Sequence, residues 1–168
     1  KLDIRKDFDT TDWGFILKVL KNFGFNDYFT DWIRSLFNSA SISMVVNGAP
    51  KGYFKCTKGL RQGDPLSTIL FSISEDYLSR MINRLVSQGN LKPILVSRNV
   101  NAPTHFLYAD EIIIFLRGDK RNILNLKNTL SHYEDVSGQT ISWNRSCIFF
   151  GKNFPSNRKC NIINDLGL

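Results

Sequence analysis

Two strand-like apolar runs in this sequence are interrupted by acid. KLDIRKDFDTTDW (residues 1–13) carries Asp3, and THFLYADEIIIFL (residues 104–116) carries Asp110 and Glu111. A carboxylate left unpaired among buried apolar side chains is costly. Two such interruptions in a short chain therefore predict that Asp3, Asp110 and Glu111 converge on positive charge. A hard divalent cation suits that role, because Mg²⁺ takes oxygen ligands from a few carboxylates and from substrate phosphates. Taken singly, each segment reads as well as an Asp opening a turn at a strand end.

A third segment, KGLRQGDPLSTILF (residues 58–71), places Gly59, Gln62, Gly63, Asp64 and Pro65 just ahead of a long helical apolar pattern. Asp64 is suited to cap that helix and Pro65 to fill its first turn. Gly63 permits close backbone approach, and Gln62 offers both a donor and an acceptor. Lys58 and Arg61 read as solvated charge or as partners for phosphate. Gly59, Leu60 and Asp9 read as residues that keep the loop in shape.

The order KLDI…FD, GLRQGDPLS, YAD-acid, followed by SGQTISWNRS (residues 137–146), resembles the palm of reverse transcriptases, most closely those of non-LTR (LINE-type) retrotransposons. The resemblance covers nearly the whole chain. It implies an RNA-directed DNA polymerase that adds deoxynucleotides to a primer 3′-hydroxyl by two-metal phosphoryl transfer, with the ions about 3.5–4 Å apart. It makes Asp3, Asp110 and Glu111 the catalytic carboxylates. Asp3, Asp110 and the Ile4 carbonyl would hold Mg²⁺, or Mn²⁺ in its place. Phe8 would lie beneath the incoming sugar and exclude a ribose 2′-hydroxyl; without the resemblance it reads equally as a core residue. Arg61, Gln62 and Gly63 would line the nucleotide pocket, and Arg145 would face the leaving pyrophosphate. The implied partners are an RNA template, a DNA primer, deoxynucleoside triphosphates and the rest of a larger polyprotein, in the nucleus.

These groups need a scaffold. Residues 1–4 read as a strand. Thr10, Thr11 and Asp12 offer a cap to a helix bearing Trp13, Ile16, Leu17, Leu20 and Phe23, stopped by Gly24. Asn26 and Asp27 open a second helix with Phe29, Trp32, Ile33, Leu36 and Phe37 at helical spacing, predicted to be core. Residues 41–47 and 52–57 flank Asn47-Gly48-Ala49-Pro50, a hairpin signal. Leu66, Ile69, Leu70, Ile73, Tyr77, Leu78, Ile82 and Leu85 mark one apolar face over about five turns. Strands are predicted at 93–97, 104–108, 112–116 and 140–150, with a helix at 122–136 ended by Gly138 and a short helix after Pro155. Asp110 then sits near a hairpin tip. Helices on one face of a small antiparallel sheet make an α+β fold, which the resemblance sharpens to a ferredoxin-like polymerase palm. Residues 1–168 would be a partial reverse transcriptase domain, with most of the fingers and thumb outside it.

Composition agrees with one folded domain: 168 residues, 42% hydrophobic and 22% charged, argue against disorder. A net charge of +7 favours a polyanionic partner. Three cysteines without a CxxC pair predict reduced structural thiols, an intracellular setting and no zinc site. No apolar stretch is long enough to span a membrane. His105 and His132 lack ligand partners at suitable spacing and read as packing or surface residues.

The chain departs from the pattern it resembles. Glu111 replaces the second Asp of a paired Asp-Asp, which lengthens one carboxylate by a methylene where Mg²⁺ geometry is strict. Asp7 replaces a small Ala beside Phe8, Thr68 replaces a Pro, and Arg145 replaces a Lys and is a poor proton donor. Two readings stay open: a polymerase palm impaired or inactive in isolation, and a catalytically dead retroelement remnant that binds nucleic acid through its charge.

Overall fold

Leu2 and Ile4 alternate with Asp3, so strand β1 (Leu2–Arg5) has one apolar and one polar face. The computed structural model describes residues 1–97 and 100–167, with backbone alone at Asp7, Val96 and Asn101. The Asp7 side chain, and with it the charge expected beside Phe8, lies outside the described residues. After β1, Lys6 takes a left-handed conformation (φ 49°), and the chain turns into the one-turn helix α1 (Asp7–Thr10). Helix α2 (Trp13–Asn22) starts where Asp12 accepts the Phe15 N–H at 2.7 Å, and α3 (Asp27–Ser39) where Asn26 accepts the Phe29 N–H at 2.9 Å. The hairpin of β2 (Ser41–Val46) and β3 (Ala49–Lys55) turns through Asn47 and Gly48, both at positive φ, the type I′ requirement. Strand β2 stops at Val46, one residue short of the expected end, whereas β3 starts at Ala49 rather than at residue 52 and so includes Pro50. Ile42, Met44, Val45, Val46, Tyr53 and Phe54 all stand exposed along it.

Helix α4 (Pro65–Ser87) begins with Asp64 accepting from Leu66 N–H at 3.2 Å and Ser67 Oγ at 2.9 Å. A small ribbon, β4 (Leu95–Ser97) with β5 (Val100–Asn101), leads to β6 (His105–Tyr108) and β7 (Glu111–Ile114). Helix α5 (Lys120–Ser137), the short strand β8 (Thr140–Ile141), a 3₁₀ turn (Trp143–Arg145) and α6 (Ser156–Leu166) complete the order. The central sheet is antiparallel with strand order β6-β7-β1-β8. Its inner face contributes Leu2, Ile4, Ile112 and Ile141 to a core shared with Ile16 and Leu20 of α2, Leu70 and Leu78 of α4, and Leu130 of α5. Burying each such side chain stabilises the fold by about 1.5–3 kcal/mol.

The α+β expectation of helices against a small antiparallel sheet agrees with this arrangement. Several details differ. In α3 the core takes Thr30, Ile33 and Phe37, with Phe37 stacked on Trp13 at 5.0 Å, while Trp32 and Leu36 are exposed. Phe29 is partly buried against the core as expected, and its ring also contacts the exposed Phe25 and Trp32. In α4 the inner face is Ser67, Leu70, Phe71, Ser74, Glu75, Leu78 and Ile82, and Ile69 is exposed. The strand expected over 140–150 ends at Ile141: one further bond, from Ser142 N–H to the Asp3 carbonyl, follows before the chain coils into the 3₁₀ turn.

His105 is held between Ser79 Oγ and Thr104 Oγ1, each at 2.8 Å, and burial pushes its pKa down. His132 is exposed on α5. Cys56 is half-buried, whereas Cys147 and Cys160 are exposed, so of the three free thiols only Cys56 fits the structural role expected of it. Among the described residues no helix is long and apolar enough to cross a membrane.

Candidate active site

The register of β1 assembles the acidic cluster. Leu2 lies opposite Ile112 and Asp3 opposite Glu111, while Ile4 N–H donates to the Asp110 carbonyl at 2.9 Å. Cross-strand partners share a face. Asp3 and Glu111 therefore project from the sheet away from the helices, as Leu2 and Ile112 project into the core. Tyr108 pairs with Glu111, which leaves Ala109 and Asp110 as a two-residue turn. Ala109 holds φ at 51°, a left-handed conformation that costs an L-residue about 1–2 kcal/mol. The hairpin tip thus stores backbone strain at the residue preceding Asp110.

Asp3 is only 8% exposed. The segment after β8 wraps it: Asp3 N–H donates to Ser146 Oγ at 3.3 Å, and Ser142 N–H donates to the Asp3 carbonyl at 2.8 Å. Arg145 Nε lies 3.2 Å from Asp3 Oδ1, close enough to pair charges but out of line for a hydrogen bond. Oδ1 is buried with no hydrogen-bond partner. Glu111 Oε1 is ion-paired with Lys1 Nζ, and that hydrogen bond is the main cause that raises the Lys1 pKa. Among the described residues no group of three or more His, Cys, Asp or Glu side chains is gathered as a metal cage. A cation here would draw on Asp3, Asp110, backbone carbonyl and substrate oxygen. A buried Asp3 oxygen lacking a hydrogen bond, one residue from the Ile4 N–H that holds the Asp110 carbonyl, fits a hard cation.

The second set of expected residues lies one loop away. The Phe8 ring is half-buried and stacks on Phe71 of α4 at 4.6 Å. Leu60 N–H donates to the Phe8 carbonyl at 2.6 Å, Gly59 N–H to the Thr11 carbonyl at 2.8 Å, and Trp13 Nε1 to the Gly59 carbonyl at 2.6 Å. The 58–64 loop is thereby stitched to the segment that carries Phe8. Arg61, Gln62 and Gly63 are exposed on it. Arg61 and Gln62, with Lys58, Trp32, Leu36 and Ile42, line an open groove of ≈ 910 Å³. The structure thus gathers Asp3, Asp110, Glu111 and Arg145 at one sheet end and ties Phe8 to the Gln62-Gly63 loop. Among the described residues, neither Arg61 nor Gln62 bonds to the carboxylates.

Sequence reading missed the support behind this region. Tyr133 Oη, on α5, donates to Glu75 Oε1 at 2.8 Å and stands 2.5 Å from Gln139 Oε1, and Gln139 Nε2 donates to Thr11 Oγ1 at 3.1 Å. All four residues are buried. The network joins α4, α5 and the turn between α1 and α2, behind the loop that presents Phe8. The available signal was Glu75 itself, a carboxylate at helical spacing from Phe71, Leu78 and Ile82. Burial, then the Glu75 charge, push the Tyr133 pKa well above its usual value near 10. The folded chain therefore keeps a proton that the unfolded chain releases above pH about 10, so stability is full below that pH and falls as pH rises beyond it. Tyr133→Phe is expected to cost about 1–3 kcal/mol at pH 7. It should also flatten the alkaline loss of stability, as urea denaturation at pH 7 and at about pH 10.5 would show.

Comparison with known proteins bears on the same residues. The family model described as "Reverse transcriptase (RNA-dependent DNA polymerase)" matches residues 1–163. The chain is 40% identical over 141 residues to the retrovirus-related Pol polyprotein from the type-1 retrotransposable element R2 of Popillia japonica, covering 84% of this chain and 22% of that protein. It is 25% identical over 162 residues to the Pol polyprotein from the type-2 retrotransposable element R2DM of Drosophila melanogaster, covering 96% of this chain and 14% of that protein. The chain thus spans about a fifth or less of these relatives. The ordered acidic, GLRQGDPLS and YAD segments, the strand pairing that joins the first to the last, and these matches together make the chain a member of the reverse transcriptase family, from the reverse transcriptase region of a non-LTR retrotransposon.

Proposed function

We propose that this chain is a ferredoxin-like polymerase palm that adds deoxynucleotides to a primer 3′-hydroxyl on an RNA template. The observation that carries the reading is the pairing of Asp3 with Glu111, which sets the first acidic strand against the Asp110 hairpin tip. Asp3, Asp110 and the Ile4 carbonyl would hold Mg²⁺, or Mn²⁺. When bound, such ions supply charge neutralisation for the attacking oxygen and the leaving pyrophosphate. The chain's own residues do the positioning. Phe8, backed by Phe71, presents a rigid ring to the sugar and leaves no room for a 2′-hydroxyl. Arg61, Gln62 and Gly63 contact the nucleotide from the exposed loop, and Arg145 offers a permanent positive charge to its phosphates. The net charge of +7 attracts the template–primer duplex. The remainder of a Pol polyprotein would grip that duplex.

Glu111 is the weak point of this arrangement. It carries one more methylene than the Asp that the family pattern places there, and Lys1 holds its Oε1. Primer extension on an RNA template with Mg²⁺ and dNTPs, by the parent polyprotein that contains this chain and by its Glu111→Asp version, tests the reading. The Asp variant is expected to extend faster. Equal activity would mean that the site tolerates Glu, and silence in both folded proteins would reject the polymerase reading. A second reading draws on the same ion pairs: with Lys1 and Arg145 countering two carboxylates, the chain would be a remnant that binds nucleic acid alone. Binding would then be salt-sensitive, and indifferent to Mg²⁺ and to Asp3.

A further inference from the structure

Asp3 is held at three points by one short stretch of chain. Ser146 Oγ accepts its N–H, Ser142 N–H bonds its carbonyl, and Arg145 faces its carboxylate at 3.2 Å. The stretch is itself braced, because Ser146 Oγ donates to the Ser142 carbonyl at 2.8 Å and Arg145 Nε to Ser142 Oγ at 3.4 Å. The main chain of Asp3 is therefore fixed, and its carboxylate is enclosed beside Arg145. Oδ1 is buried without a hydrogen bond. The Asp3 side chain is 12% exposed and that of Arg145 60%, so the carboxylate is the enclosed partner and the guanidinium the one open to solvent.

Resting on the reading of Asp3 as a metal ligand, we propose that Arg145 is a positioning residue for Asp3, a tethered counter-ion that a divalent cation displaces. A buried carboxylate needs a positive neighbour in every state of the site. Without metal, Arg145 provides it, 3.2 Å from the buried Oδ1. A divalent cation on the same oxygen would meet the guanidinium as a like charge, so the two exclude each other. Binding is then an exchange rather than the filling of an open site. The released guanidinium stays tethered beside Asp3, free to meet a phosphate. Lys1 stands on Glu111, the cross-strand neighbour, in the same relation. One acidic pair thus carries two tethered cations.

The test is Mn²⁺ binding to the metal-free 168-residue chain at low ionic strength, read as loss of the free-ion EPR signal. Wild type, Arg145→Gln, Arg145→Lys and Asp3→Asn are compared after circular dichroism shows equal folding. Arg145→Gln is expected to bind about fivefold tighter, the scale of a partly exposed ion pair. Arg145→Lys should stay near wild type, and the gap should narrow in about 1 M salt, where the Debye length is about 3 Å. Asp3→Asn should lose the site. Equal or weaker binding by Arg145→Gln, with Asp3→Asn still inactive in binding, would overturn the counter-ion role and leave the metal site standing. Binding unchanged by Asp3→Asn, or none in either wild type or Arg145→Gln, would overturn the metal site and the counter-ion role together.

Discussion

Asp110→Ala, and separately Asp3→Ala, should each lower Mg²⁺-dependent primer extension by about 10³-fold or more in any polymerase that contains this chain. A metal that neutralises transition-state charge contributes several kcal/mol, and each 1.36 kcal/mol is tenfold in rate. The two variants should differ in stability. Asp110 is half-buried on a two-residue turn, and its carbonyl, which receives Ile4 N–H, is untouched by the substitution. Its loss should leave the melting temperature nearly unchanged. Asp3→Ala removes a buried charge and strands Arg145, so its stability change is the balance of those two terms. Single-turnover extension with equal amounts of folded protein is the measurement. Activity retained in Asp110→Ala would sink the assignment of the hairpin tip.

Gly59→Ala should produce the largest loss of stability of any single methyl addition discussed for the motif loops. Gly59 has φ +86°, and a Cβ there would stand 2.7 Å from the Asp9 carbonyl oxygen and 3.1 Å from that of Phe8. Both obstacles are backbone, and that backbone is fixed by the bonds from Leu60 and Gly59 to Phe8 and Thr11. The left-handed conformation costs about 1–2 kcal/mol for a non-glycine residue. With the clash added, a loss of about 3 kcal/mol is expected, or about 6–12 °C in melting temperature for a domain of this size. Gly63→Ala provides the contrast. Gly63 has φ +84° but nothing within 4 Å of the added carbon, so only the conformational cost remains. Thermal melts of the two variants side by side test this. If Gly59→Ala melts no lower than Gly63→Ala, the close approach of the loop to Asp9 is wrong.

The same two glycines show how far sequence alone carried. Local chemistry was readable: the caps at Asp12, Asn26 and Asp64, Pro65 in the first turn, the Asn47-Gly48 hairpin and the Gly138 stop all stand where residue types placed them. So was the shape-keeping role given to Gly59, Leu60 and Asp9. Long-range facts were not. Periodicity says that a helix has an apolar stripe but not how the helix is rotated against its neighbours, hence the exposed Trp32, Leu36 and Ile69. The partner of Glu75 was invisible because the phenol that donates to it arrives from another helix, far along the chain. The contact between Arg145 and Asp3 was hidden for the same reason, although each residue was singled out for its own chemistry.

Those separations bear on how the protein is made. The strand that carries Asp3 leaves the ribosome 143 positions ahead of its hydrogen-bonding partner Ser146. At about 5–20 residues per second, β1 spends on the order of ten seconds with neither flanking strand available. The helices and the β2–β3 hairpin, built from local contacts, can form during that wait. The acidic cluster is consequently among the last features to assemble. A nascent chain halted before Glu111 presents Asp3 on a strand with neither neighbour, so the acidic cluster comes together only once residues 111–146 have followed it.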